Sequence, residues 1–291
     1  MRIINLSVEM LRSFEKHHFS IDRWKSYMDD SIPGAKELCL EDMRETVKAG
    51  FSWEEAFLPV LNAVQQDADK RNKTIETFCG VTANLNERII EKFQRGVDVD
   101  LILYLGLCNG AGWVTSINGK PSVLFGVEKI MELNWCDKDS MTGLVLHELG
   151  HVYQDQYGVL YRNFEKPADK FLWQLFTEGI AMVFEQELVS DPEYFHQNHN
   201  GWKQWCDQHA DLIKESFSID MNSMTQENQR YFGDWTSFNG YGDTGYYLGA
   251  RFIRFLLGYD LFDRIILYGI QEVKAGFDHF LNSSLSSTYK S

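Results

Sequence analysis

From Asn5 to about Gln94 the apolar positions recur three and four apart, as in Trp53, Ala56, Phe57, Val60, Leu61 and Val64. That spacing lays one apolar stripe along a helix and predicts that the first third of the chain is mostly helical. Ser52, followed by Glu54 and Glu55, makes an N-cap, since a hydroxyl can accept from the unpaired N–H groups of a first turn. Pro59 falls inside the run. It must kink or divide the helix, because it has no N–H to donate and its ring crowds the preceding turn.

After Gly96 the period changes. Val97 to Leu107 is β-branched and apolar, and the runs Trp113 to Ile117 and Ser122 to Val127 flank Asn118-Gly119. Asn-Gly between two apolar runs marks a hairpin, since both central residues of a type I′ turn need positive φ. A small antiparallel sheet is expected here. Beyond it, Asp137 or Asp139 can cap a helix that runs to about Tyr157 and ends at Gly158. Pro167 suits the first turn of another helix, which should run to about Leu188 before Ser190-Asp191-Pro192 stops it. The remainder is helical in pattern and rich in aromatics, notably Trp202, Trp205, Trp235 and Phe238, and closes on a helix from Thr244 to about Leu257. The expected organisation is α+β and predominantly helical: a helical region over 1–96, an α+β core over 97–190 and a helical region over 191–291.

The chain has 291 residues, of which 44% are hydrophobic and 24% charged, with no Gly/Ser/Pro-rich tract. That balance gives one large or two small globular domains and excludes a fibrous repeat or a long disordered linker. With 28 basic against 42 acidic residues the formal net charge is -14. Such an excess repels phosphate backbones, no basic patch offsets it, and nucleic acid is not an expected partner. The longest apolar runs, such as Leu101 to Cys108, stop well short of the roughly 20 residues of a membrane-spanning helix. Glu9, Arg12 and Glu15 interrupt any secretory signal, so a cytoplasmic protein without a membrane partner is expected. Cys39, Cys79, Cys108, Cys136 and Cys206 are odd in number and contain no C-x-x-C pair, which points to reduced, buried thiols.

The chemistry lies in the helix after Asp139, which reads His147-Glu148-Leu149-Gly150-His151. Residues four apart share a helix face, so His147 and His151 can set two imidazole nitrogens around one metal ion at about 2.0–2.1 Å. Glu148 is rotated off that face and can reach a water on the metal without ligating the metal, as a general base for hydrolysis must. A catalytic zinc needs a third protein ligand and an open fourth position. In the next helix Glu178 stands within the largely apolar stretch Phe171 to Phe184, where a charge costs several kcal/mol unless something pairs with it. Glu178 is the expected third ligand, with Gly179 and Ala181 letting its helix approach the histidine helix. The competing reading is an exposed carboxylate on an amphipathic helix, with Gln174, Glu185 and Gln186 polar beside it; Glu185 would be the next ligand to consider.

His147-Glu148-x-x-His151 followed in the next long helix by Glu178-Gly179-x-Ala181 resembles the gluzincin group of zinc metallopeptidases, and most of all the predicted zinc-dependent proteases of bacteria. The resemblance is specific over roughly Val97 to Leu188. It implies a zincin-like core, a zinc cofactor, a peptide or protein substrate, and an edge strand before the histidine helix whose backbone pairs with that substrate. Ser122 to Val127 is assigned to that strand, and the helical region over 191–291 is expected to complete the cleft. Thr177 stands where thermolysin-like members carry Asn, and the Gly-x-Met-Glu-Asn motif of the aminopeptidases is absent, Gly126-Val127-Glu128 being the nearest fragment. Exopeptidase specificity is not implied. Nor is a peptide deformylase, because Cys136 lacks the Gly-Cys-Leu setting of that enzyme's ligand. In gluzincins a Tyr or His downstream of the glutamate ligand often faces the developing oxyanion. Within Gly245-Tyr246-Tyr247-Leu248-Gly249, Tyr247 lines up with Arg251 and Arg254 on the polar face and Tyr246 with Gly249, Ala250 and Ile253 on the small apolar face. Tyr246 also resembles the tyrosine of a Gly-Tyr-x-x-Gly stretch in the bacterial families; the alternative is that both tyrosines are core or rim aromatics.

His196 and His199 read as a solvated pair, and His17, His18, His209 and His279 as surface residues. Gly106, Gly110 and Gly112 look superficially like a phosphate loop, but with no Lys-Ser/Thr after them they read as a glycine-rich strand turn. The expected function is peptide hydrolysis at a zinc ion held by His147, His151 and Glu178, with Glu148 as general base. The alternative, a non-catalytic zinc-containing binding protein on a peptidase-like fold, has no need of a base beside the metal.

Overall fold

A computed structural model describes residues 1–233 and 235–283. The chain divides into two compact units, Met1–Glu148 and the residues from Leu149 onward, and the division falls inside one continuous helix.

In the first unit β1 (Arg2–Asn5) leads through a 3-10 turn (Glu9–Ser13) to the short pair β2 (Phe14–Glu15) and β3 (His18–Phe19). Then come α1 (Ile21–Ser31), α2 (Lys36–Lys48), a π-helical turn (Trp53–Phe57), α3 (Leu58–Gln66), α4 (Ala68–Thr82) and α5 (Leu85–Phe93). The Ser52 hydroxyl accepts from the N–H of Glu55 at 3.2 Å, and Pro59 stands in the first turn of α3, so the periodic run is divided there. Next are β4 (Asp100–Tyr104), β5 (Gly112–Ile117), β6 (Lys120–Gly126) and α6 (Val127–Glu132). Asn118 and Gly119 take φ of 52° and 78°, and Ile117 faces Lys120 across them, the two-residue hairpin that the dipeptide favours.

The sheet order is β1-β4-β6-β5, and two expectations are corrected by it. The sheet is mixed: β1 and β6 flank β4 in parallel, and only β5 runs antiparallel to β6. The Ser122 to Val127 segment is also not an edge. It is β6, buried between β4 and β5 over Ser122–Gly126, and the free edge on that side belongs to β5. The burial agrees: β4 is buried throughout, as a strand covered on both faces must be, whereas most of β5 is half-exposed.

Because β6 separates β4 from β5, residues 105–111 must arch over the end of β6. This arch is the glycine-rich run GLCNGAG, and it does hold an anion, one of the protein's own. Glu128, 1% exposed in the first turn of α6, accepts from the N–H of Gly106 at 3.0 Å and of Cys108 at 3.2 Å. A Cβ at Gly106 would lie 2.6 Å from the Glu128 carboxylate, so only glycine permits this approach. On the helix side, Trp24 donates to the carbonyl of Leu105, the Tyr27 hydroxyl accepts from its N–H, and Asn109 donates to Cys39 and Asp42.

The continuous helix is α7 (Lys138–Tyr157). It is followed in the second unit by α8 (Pro167–Val189), α9 (Trp202–Gln208), α10 (Ala210–Asp220), α11 (Thr244–Leu257), α12 (Phe262–Ile265) and α13 (Ile270–Leu281). The chain therefore does not close on the helix ending at Leu257; two more follow. Gly179 and Gly249 let α8 and α11 touch backbone to backbone: a Cβ at Gly179 would strike the Gly249 carbonyl, and one at Gly249 would lie 2.7 Å from that of Leu175. Among the cysteines, Cys39, Cys136 and Cys206 are buried as expected, but Cys79 is exposed and Cys108 half-buried.

Burial pushes the Glu128 carboxyl up from 4.5 to about 7, against the opposing pull of the Gly106, Glu128 and Cys108 N–H groups and of Lys129. The sign of the linkage follows. Below pH 4.5 native and unfolded chains are both protonated; between 4.5 and 7 only the native chain keeps its proton; above 7 both are ionised, and the native state bears the full penalty. Wild type should therefore lose about 3 kcal/mol relative to Glu128→Gln as the pH rises from 4.5 to 8. Urea unfolding of both proteins at those two pH values measures it, and parallel pH profiles would contradict it.

Candidate metal centre

α7 starts at a firm cap. The Asp137 carboxylate accepts from the N–H groups of Asp139 at 2.9 Å and Ser140 at 3.0 Å, so Asp137, not Asp139, fills the cap position. Between Ser140 and Gln154 the helix is enclosed nearly all round, with Met141, Val145, Leu146, Leu149 and Tyr153 wholly buried. A helix of that kind lies inside a protein, and it carries its histidines inside with it: His147 is buried and His151 half-buried. α8 is equally interior, from Phe171 to Gln186. Glu185 and Gln186 are buried, so the amphipathic face on which Glu178 could have been a surface carboxylate does not exist.

His147, His151 and Glu178 each offer one donor atom, and these atoms all lie within 4.8 Å of one another; it is the only such group of three among the described residues. His151 Nε2 is 3.2 Å from Glu178 Oε2. Two donors on one tetrahedral ion at about 2.0–2.1 Å stand about 3.3 Å apart, so this pair already has the span that a shared ion sets. Two imidazoles and a carboxylate are donors of the kind that a divalent transition-metal ion takes. The residues fit a metal ion.

Small residues bring the two helices this close. A Cβ at Gly150 would lie 2.7 Å from Cα of Ala181; Gly150 precedes His151, and Ala181 follows Glu178 by one turn. Ala181 thus has the expected part, but Gly179 faces α11 instead. The Glu148 side chain is half-buried and lies against the start of β5, where a Cβ at Gly112 would stand 2.7 Å from its Cγ and 2.9 Å from its Oε1. The sequence marks neither Gly112 nor Gly150 for this contact, because a glycine required by a close approach looks in sequence like any other.

Several candidates change place. Glu185 is not a spare ligand: both of its oxygens lie 3.0 Å from His196 Nδ1. His196 is therefore a buried partner and not half of a solvated pair, while His199 is exposed. His17, His18 and His279 are exposed as expected, and His209 stacks on Trp205 with ring centroids 4.4 Å apart. The face of α11 read as polar is interior: Tyr247 and Arg251 are buried, Tyr247 donates to Asp207 at 2.9 Å, and Arg251 pairs with Glu193 and Asp207. Tyr246 is half-buried, its ring edge-on to Phe232. Glu128, of the Gly126-Val127-Glu128 fragment, is turned into the arch.

Glu178→Gln should keep the fold, since the two residues have similar helix propensity, while an amide is a much weaker ligand than a carboxylate. Zinc affinity should fall by at least about tenfold, as measured by titrating the apo protein against wild type; equal dissociation constants would remove Glu178 from the donor set. Compared with family models, curated proteins and solved structures, the chain matches none.

Proposed function

We propose that this protein is a zinc-dependent peptidase with a zincin-like core, in which His147, His151 and Glu178 hold the metal and Glu148 is the general base. The observation that carries the proposal is the donor triad with a glutamate adjacent to it and outside it. Held by those three residues, zinc would supply Lewis-acid chemistry to the hydrolysis. Glu148 would accept the proton of the attacking water on its carboxylate and deliver it to the leaving amine, whose expulsion needs that proton. The free edge of β5, running antiparallel to β6 and starting at Glu148, offers backbone N–H and C=O groups to an extended peptide. Its place supports the reading in the way that Ser122 to Val127, now interior, does not. Tyr246 stands three residues before Gly249, on the stretch of α11 that touches α8 beside Glu178, and its hydroxyl is our choice for the donor to the developing oxyanion.

Glu148→Gln should retain zinc and the fold while kcat falls about 10²- to 10⁴-fold, because an amide of the same shape cannot take the proton. A digest of a peptide library by wild type and variant tests this, and wild-type turnover in the variant would rule Glu148 out as the base. Tyr246→Phe should lower kcat about 10²-fold with little change in zinc affinity. An unchanged kcat there would reduce Tyr246 to a packing aromatic.

A further inference from the structure

The carboxylate under the arch has no part in the chemistry above, yet it lies upstream of it in the architecture. Gly106 and Cys108 present two N–H groups to one side chain, and only a carboxylate of that length offers an acceptor oxygen to each. An ionisable group is kept where water cannot reach it, at a clear cost in stability. A side chain that costs so much to bury is expected to secure something in return.

From Cys108 the chain has three residues to Gly112, and they have no slack. Asn109 is tied to Leu107, Cys39 and Asp42, and the Ala111 carbonyl accepts from Gly126 at 3.1 Å. Gly112 then rests on Glu148 with no room for a methyl group. We propose that Glu128 is a positioning residue: by holding the N–H groups of Gly106 and Cys108 it fixes where Gly112 meets Glu148, and so where a peptide paired with β5 lies relative to the general base. The catalytic half of this statement rests on the peptidase reading; the anchoring half does not.

The test uses the zinc-loaded full chain with Glu128→Gln, Glu128→Asp and Gly112→Ala. Hydrogen exchange is followed over residues 105–117, kcat and KM on a peptide that wild type cleaves, and zinc affinity by titration. In Glu128→Gln one N–H faces an amide nitrogen, so exchange at Gly106 and Cys108 should rise about tenfold or more as the arch opens locally. A displacement of about 1 Å at the base should lower kcat/KM about 10- to 100-fold, with zinc affinity unchanged. Glu128→Asp keeps both oxygens and should restore part of the protection and part of the rate. Gly112→Ala disturbs the same contact from the other side, so it should reproduce the loss of kcat/KM while the arch stays protected. Unchanged exchange in Glu128→Gln would overturn the anchor, and faster exchange with wild-type kcat and KM would overturn its link to catalysis. A wild-type protein that binds zinc but cleaves no peptide would defeat the peptidase reading and the catalytic half with it, while the exchange comparison still decides the anchor.

Discussion

Burying a carboxylate among apolar side chains costs several kcal/mol unless donors or opposite charge meet it, and three glutamates of this protein are placed where that cost arises. Each meets it differently. Glu185 is wholly buried in α8 and faces His196. Glu128 faces two backbone N–H groups of the arch. Glu178, only 17% exposed at its side chain, stands 3.2 Å from His151, a distance suited to a cation between them. The same penalty thus ties a loop to α8, an arch to α6 and one helix to its neighbour. Two of these ties close on protein groups alone. The third has the donor set of a metal site, and it is where the function is proposed to lie.

Small residues make the third arrangement reachable. Gly150 against Ala181 and Gly179 against Gly249 remove side chains where backbones must touch. Donors on separate helices can share one ion only within a few ångströms, and an ordinary side chain at Gly150 would push apart the two helices that carry them. α8 therefore meets α7 through Ala181 and α11 through Gly179, both beside Glu178.

How much of this the sequence disclosed depends on whether each signal is local. Helix spacing, the Asn118-Gly119 turn, the stop at Ser190 and the His147/His151 pair act over a few residues, and each stands where the pattern placed it. Features made by distant pairing were not legible. Arg2–Asn5 is too short to show a period, and its parallel partner β4 lies 98 residues on, so local pattern alone predicts an antiparallel sheet with β6 at its edge. His196 reads as polar and exposed until Glu185, on another element, is placed beside it. Tyr247 and Arg251 read as a polar face because sequence records their polarity and not Asp207 and Glu193, which let them be buried. Glu128 carries no motif at all; its importance comes from the loop folded over it.

The sheet order also constrains how the chain assembles. β5 and β6 are joined by two residues and can pair as soon as both exist, whereas β1 must wait for β4, and β4 acquires its second neighbour only when β6 enters between it and β5. Loop-closure entropy makes the near pairing fast and the distant one slow. The hairpin that carries the proposed substrate edge is then an early, local product of folding, and the N-terminal strand is a late one. Until β1 docks, one side of β4 is an unpaired edge of apolar residues, the kind of surface on which nascent chains associate wrongly. The ion pair of Asp100 with Arg2 fastens the strand that closes that edge, so the four residues of β1 bear on the chain's solubility as well as its stability.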